Sequence, residues 1–367
     1  MFGCSIFLNE EIDFDYLKMM KKSGFEGIFT SIHIPEDDDS VYINRIKTLG
    51  KFVRENHLTL MVDVSGNTLE KIGASFMNVQ PLLDIGITGL RIDYGISNQT
   101  IADLSHKMDI ALNASTIGKE DIEELSYLKA NFSNIEAWHN YYPRPKTGLD
   151  EYQFHKKNAW LHHQGLKVMA FVPGNSKKRG PLYKGLPTIE KHRNLHPLVA
   201  SVELINQYHV DHVYIGDPGI STLLQRQFQN FILNNKILLR ADKLVDNDEK
   251  LLAHIAGEHT NRKDAARDVI RSEESRLIRK ISAVPKMNTI PRLKGSITID
   301  NEAYGRYMGE VQITKVNLSQ DEKVNVIAKV SEEDLLLIDI IEPGQKFEFL
   351  LEDGYGFGKI NHGATEP

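Results

Sequence analysis

Three aspartates each close a short apolar run: Asp63 in LTLMVDVS (58–65), Asp93 in GLRIDYG (89–95) and Asp217 in HVYIGD (212–217). Two carboxylates held side by side cannot both ionise easily. One stays protonated as an acid while the other carries charge, which is the arrangement general acid–base chemistry uses. Asp63 and Asp93 are the first such pair, with Asp217 in reserve. Alternation along an extended chain turns Arg91 to the same side as Asp93 and sends Leu90 and Ile92 to the other. Other roles are open to all three. Asp63 and Asp93 can cap the turns that follow or pair with Arg91, and Asp217 can cap a helix that starts at Pro218.

The ends of the other apolar runs are polar as well: Ser31 and His33, Asn113, then His139 and Asn140. These suit donors and acceptors for a hydroxylated ligand. His33, Asp63, Asp93, His139 and Asp217 are also a conceivable metal set. They lack close ligand spacing such as H-E-x-x-H, so metal-free, cofactor-free chemistry is the expectation. Two loops add to the rim. PGNSKKRGPLYKGLPTIEKHR (173–193) joins backbone-permissive Gly174, Asn175 and Gly180 to a basic run, Lys177, Lys178 and Arg179. It reads as a ligand lid, or more plainly as a solvated loop. AWHNYYPRPKTGL (137–149) sets Tyr142 and Arg144 among stiffening prolines; its arginine suits a phosphate or carboxylate.

What could bring these residues to one rim? Eight apolar runs begin near residues 3, 27, 58, 89, 109, 135, 167 and 212. Amphipathic stretches separate them, such as DFDYLKMMKKSG, with Phe14, Leu17 and Met20 at helical spacing and Gly24 as the stop. Strand–helix alternation at this spacing predicts an α/β fold, a closed (β/α)8 TIM barrel over residues 1–236. In that fold the strand ends are the functional face, and the loops after strands seven and eight often hold phosphate. An open doubly wound sheet would want a G-x-G-x-x-G turn after its first strand, which is missing.

Residues 237–367 read as a smaller, mostly β domain with strand-like runs GSITID, YMGEVQIT, KVNVIAKV, DLLLIDII and KFEFLLE. Before them lies a charged segment in which Arg262, Arg267 and Arg271 recur at helix-like spacings, with pairing to Asp264, Asp268 and Glu274 as their expected use. A net charge of −6 argues against nucleic acid as a partner. A single cysteine argues for a reducing compartment, and no membrane span or signal segment is seen, so a cytoplasmic location is expected.

GIFTSIH, LRIDYG, ALNAS, HNYYPRPKTGL, AFVPG, RGPLYKGLPTIEKHR, ARDVIRS and GSITIDNEAYGRYMGEVQI together resemble the bacterial 6-phospho-N-acetylmuramidases of the MupG type, whose relatives were formerly labelled outer surface proteins. The resemblance spans nearly the whole chain. It implies a barrel followed by a cyclophilin-like β domain. It also implies a peptidoglycan-recycling glycosidase that splits N-acetylmuramic acid 6-phosphate–(β1,4)–N-acetylglucosamine into its two sugars. Such a reaction needs a carboxylic acid and a carboxylate flanking the bond, by a retaining, an inverting or a substrate-assisted route. A phosphosugar lyase or aldolase on the same barrel, and a non-catalytic phosphosugar sensor, are the alternatives.

Overall fold

The computed structural model describes residues 1–32, 39–64, 69, 72–92, 95–245, 249–277 and 281–352. These fall into two compact units that divide between Gln225 and Arg226.

In the first unit eight parallel strands close on themselves in chain order: β1 Phe2–Ser5, β2 Gly27–Ile32, β3 Thr59–Val64, β4 Gly89–Ile92, β5 Asp109–Asn113, β6 Ile135–Trp138, β7 Lys167–Val172 and β8 His212–Ile215. β1 pairs with β8, so no strand edge is left open. Helices follow the strands, as the alternation predicts. The first, α1 (Phe14–Lys22), is capped by Asp13, which accepts from the Tyr16 N–H, and buries Leu17 and Met20. Its stop is Gly24, where φ is +89° and a side chain would strain the backbone.

The barrel interior is packed rather than open. Phe29, Met61, Ala111, Trp138, Met169, Phe171 and Tyr214 form one buried cluster. β1 and β4 contribute glycines, and the reason is steric. A Cβ on Gly3 would stand 2.2 Å from the Tyr214 ring, and one on Gly89 2.7 Å from the Met61 methyl. Large side chains from neighbouring strands thus fill the space that small residues leave. Side chains two residues further along point inward again, which brings Ser31, Asp63 and Arg91 into register at the C-terminal mouth.

The second unit is built on a seven-stranded sheet in the order β10-β15-β9-β14-β12-β13-β11. The strands are β9 Lys236–Lys243, β10 Gly257–Thr260, β11 Val269–Arg271, β12 Ser296–Asp300, β13 Val311–Thr314, β14 Val324–Val330 and β15 Lys346–Glu352. β9 and β15 run parallel and the remaining neighbours antiparallel. Two expectations are corrected here. DLLLIDII is not a strand: Glu332–Ile340 is 3-10 helical, with Asp334 buried and accepting from the Gln227 side chain and the Arg240 N–H at 2.9 Å each. An unbroken apolar run carries no period to tell the two apart. Nor do Arg267 and Arg271 share a helix face, because Arg271 lies in β11. Arg262 and Arg271 pair with Asp264 and Arg267 with Asp268, as expected, whereas Glu274 accepts from Thr260. Among the described residues no helix is long and apolar enough to cross a membrane.

Candidate active site

Asp63 sits at the mouth of the barrel, where β3 ends beside β4. Its Oδ1 takes a hydrogen bond from Arg91 Nη1 at 3.0 Å, and Arg91 Nη2 donates onward to the Asn140 side chain at the end of β6. Arg91 is 4% exposed while Asp63 keeps 30%, so the guanidinium is part of the wall and the carboxylate reaches the opening. Asn140 is fixed in turn, since its carbonyl accepts from Thr188 Oγ1 at 2.9 Å. Asp63, Arg91 and Asn140 therefore form one inward chain of polar contacts on three strands. Asp93 and His33 lie outside the described residues.

Beside this mouth opens a cavity of about 710 Å³, lined by the loops after β1, β7 and β8 and by Ser31. Lys177, Lys178, Arg179 and Gly180 border it on one side, and Glu10 and Glu11 on another. Lys177 is ion-paired with Glu10. Arg179 lies 4.2 Å over the Phe7 ring and donates to the Tyr141 hydroxyl, which fixes the guanidinium in an aromatic cradle.

Asp217 organises that basic loop from beneath. Its Oδ2 accepts from the N–H of Gly174 (2.9 Å) and Leu186 (3.0 Å), and its Oδ1 from the N–H of Arg179 (3.1 Å). It is 0% exposed. A carboxylate spent on three backbone donors and closed to solvent holds the loop in place. The alternative as a helix cap is corrected, since the helix Thr222–Asn234 begins four residues beyond Pro218 and Ser221 caps it. Gly174 has to be glycine because a Cβ would come within 2.4 Å of the Gly219 carbonyl. Asn175 ties the same loop to Ser221 through both amide atoms, accepting from the Ser221 N–H and donating to its hydroxyl.

A second clamp joins this loop to the one after β6. Arg193, 6% exposed, donates to the carbonyls of Tyr142 (2.9 Å), Arg144 (3.2 Å) and Gly185 (3.1 Å) and pairs with both oxygens of Glu190. Glu190 also accepts from the Gly148 N–H. The Arg193 guanidinium, with those backbone donors, holds the Glu190 carboxyl down at about 2. The Tyr142 N–H meets the Pro187 carbonyl, and Leu149 bridges Ile189. The expected lid is thus stitched at several points to the aromatic, proline-rich segment, and the two make a common wall. Arg144 stands exposed on it.

His139 is placed elsewhere than expected. It is 1% exposed, with Nε2 at 2.7 Å from Asn158 Oδ1 and its ring 4.5 Å from Phe154, both on the helix Glu151–His163. It faces the helices and not the mouth, and burial pushes its imidazole down to about 4. Asn113 is buried and spends its Oδ1 on the Ser115 N–H, in the turn that ends β5. The residues missed by sequence reasoning are Phe7, Glu11, Tyr141, Glu190 and Arg193. Alternation would have found part of this: with Trp138 inside the barrel, Asn140 follows it and His139 does not. Only Glu190 is a local partner of Arg193; its carbonyl partner Tyr142 lies 51 residues away.

Fold and rim together define a TIM-barrel protein with a carboxylate at its mouth and a cavity lined by charges of both signs beside it. Residues 2–230 match the family described as 6-phospho-N-acetylmuramidase, N-terminal, and residues 237–350 its C-terminal counterpart. The chain belongs to the 6-phospho-N-acetylmuramidase family, a glycosidase family. It is 46% identical to a conserved protein of unknown function from a locus in Enterococcus faecalis, covering 96% of each chain with a TM-score of 0.86. An uncharacterized B. cereus protein shares the fold at 23% identity and a TM-score of 0.71, over 95% of this chain and 99% of that one. The comparison with curated proteins gave no match.

Proposed function

We propose that the barrel hydrolyses N-acetylmuramic acid 6-phosphate–(β1,4)–N-acetylglucosamine, in the cytoplasm and as a step of peptidoglycan recycling. The observation that carries this reading is the cavity beside the Asp63 mouth, which Lys177, Lys178 and Arg179 line together with Glu10, Glu11 and Asp13. A phosphorylated sugar bearing a lactyl carboxylate presents two anions, and Lys177, Lys178 and Arg179 line a space of about 710 Å³ that suits a disaccharide portion. Family membership supplies the reaction class.

Within this reading Asp63, ion-paired to Arg91, serves as the anion. It stabilises the developing oxocarbenium charge or orients the nucleophile. The proton for the leaving oxygen then falls to Asp93, which follows β4 two residues after Arg91. Ser31 and Asn140 contact hydroxyls, and Arg144 meets the lactyl carboxylate.

The test is release of N-acetylglucosamine from the phosphorylated disaccharide by the full chain, with Asp63→Asn as the comparison. Release is expected, with kcat lowered at least about 1,000-fold in the variant, a loss of the size seen when one charged catalytic group is removed. Tight binding without release would make the protein a phosphosugar sensor instead.

A further inference from the structure

The second unit holds a polar hollow that the barrel reaction does not use. β11, β13 and β12 lie in register, so Ile270, Ile313 and Ile297 share one face of the sheet and are buried. The same register places Arg271, Gln312 and Thr298 on the opposite face, with Glu310 and Asp300 two residues along their strands. Over this face lies a cavity of about 330 Å³, into which Arg262, Arg276, Arg292, Tyr304 and Tyr307 also project.

Its lining is richer in positive than in negative charge, with Asp264 and Asp321 at its margin, the latter accepting from the Tyr304 hydroxyl. Four guanidinium groups line it against two carboxylates, Asp300 and Glu310. Arg276 takes Glu310 at 2.9 Å. Arg262 and Arg271 share one aspartate, Asp264, which is 62% exposed. Arg292 Nε donates to a neutral group, the Ser319 carbonyl, at 2.9 Å. Arg262 Nη1 is buried without a hydrogen-bond partner among the described residues. Burial, then the nearby Glu310 and Asp321 charges, push the Asp300 carboxyl up to about 7, so even this carboxylate is only partly charged at neutral pH.

Guanidinium groups gathered around a hollow repel one another, and a buried N–H without an acceptor costs free energy. An oxyanion relieves both, because arginine forks match phosphate and carboxylate oxygens. The Tyr304 and Tyr307 rings, 6.2 Å apart and edge to face, give the same space an apolar surface against which a sugar ring can lie. The volume is at the small end of ligand sites, which run from roughly 300 to 1,000 Å³.

We propose that the second unit carries a binding site of its own for a monosaccharide-sized molecule bearing a phosphate or carboxylate, with Arg262, Arg271 and Arg292 receiving the anion. This does not depend on the reaction assigned to the barrel. The test is phenylglyoxal labelling of the unaltered full chain, mapped arginine by arginine by mass spectrometry, with glucose 6-phosphate, glucuronate or glucose present. Glucose 6-phosphate or glucuronate is expected to slow labelling of Arg271 and Arg292 at least about fivefold, a factor corresponding to a site mostly occupied. Glucose is expected to have no effect. Whichever anion protects identifies the group recognised. Labelling that neither anion changes, protection confined to Arg179, or equal protection by glucose would overturn the proposal. Calorimetric titration of Arg292→Gln with the protecting anion gives a second measurement. Affinity should fall at least about tenfold, the worth of one charge-assisted contact. Wild-type affinity in a variant with an unchanged melting temperature would count against it.

Discussion

At the scale of single residues, burial and direction separate the site from its supports. Arg91, Asp217, Arg193 and His139 are all polar and nearly closed to solvent, and each holds to protein partners, His139 through Nε2 alone because its Nδ1 is buried without a hydrogen-bond partner among the described residues. Asp63 alone among these contacts reaches the opening. His139 makes the sharpest case. Its imidazole joins β6 to the helix behind it through Asn158, which in turn donates to the Tyr208 carbonyl at 2.8 Å. His139→Ala is therefore expected to lower stability by about 2–4 kcal/mol, the cost of a buried cavity with a lost hydrogen bond. Its kcat/KM should stay within about threefold of wild type, since no contact with the mouth is removed. Urea unfolding and steady-state kinetics on the same preparation check this. A large fall in kcat at unchanged stability would return His139 to the site.

At the scale of elements, the rim behaves as a wall because two carboxylates hold it. Asp217→Asn keeps the shape but replaces an acceptor oxygen with a donor that faces backbone N–H groups. A loss of about 2–4 kcal/mol is expected, as for other broken buried charge contacts. Limited proteolysis should then cut first within 174–186, and cleavage no faster than in wild type would show that the loop has other anchors. Glu190 gives a pH signature. Its carboxyl is held at about 2 when folded, against 4.5 ordinarily, chiefly by Arg193. The folded state therefore binds fewer protons than the unfolded one below pH 4.5. The Glu190–Arg193 pair contributes its full stability above that value and loses it as pH falls through about 2. Thermal melts of Glu190→Gln should show lower stability at pH 7 and a flatter decline between pH 4.5 and 2 than wild type. Parallel acid profiles would contradict the clamp.

The whole molecule shows what a sequence of this kind reveals. All eight barrel strands lie where apolar runs alternate with amphipathic stretches, because a parallel sheet buried on both faces leaves that pattern in the chain. The inward direction of Asp63 and Arg91 was legible from alternation, Asn140 only as a polar residue at a strand end, and the lysine- and arginine-rich loop from its composition. His139 was misplaced because being at a strand end says nothing about the side it faces. The clamp made by Asp217 could not be read from its residue type, because its partners Gly174, Arg179 and Leu186 are distant in sequence. Phe7, Tyr141 and Arg193 belong to contacts between loops, which no local period encodes. In the second unit β10 and β11 are short strands inside a charged segment, and their alternation is too brief to stand out.

In the proposed function the barrel rim reads a phosphate next to the Asp63 mouth. The most direct measurement is kcat/KM for the disaccharide with and without its 6-phosphate, in wild type and in Lys178→Gln/Arg179→Gln. Two charge-assisted contacts are worth about 3 kcal/mol or more, so wild type should prefer the phosphorylated substrate by at least about 100-fold. The double variant should lose most of that preference through the phosphorylated substrate alone. Equal rates on both substrates in wild type would contradict the account.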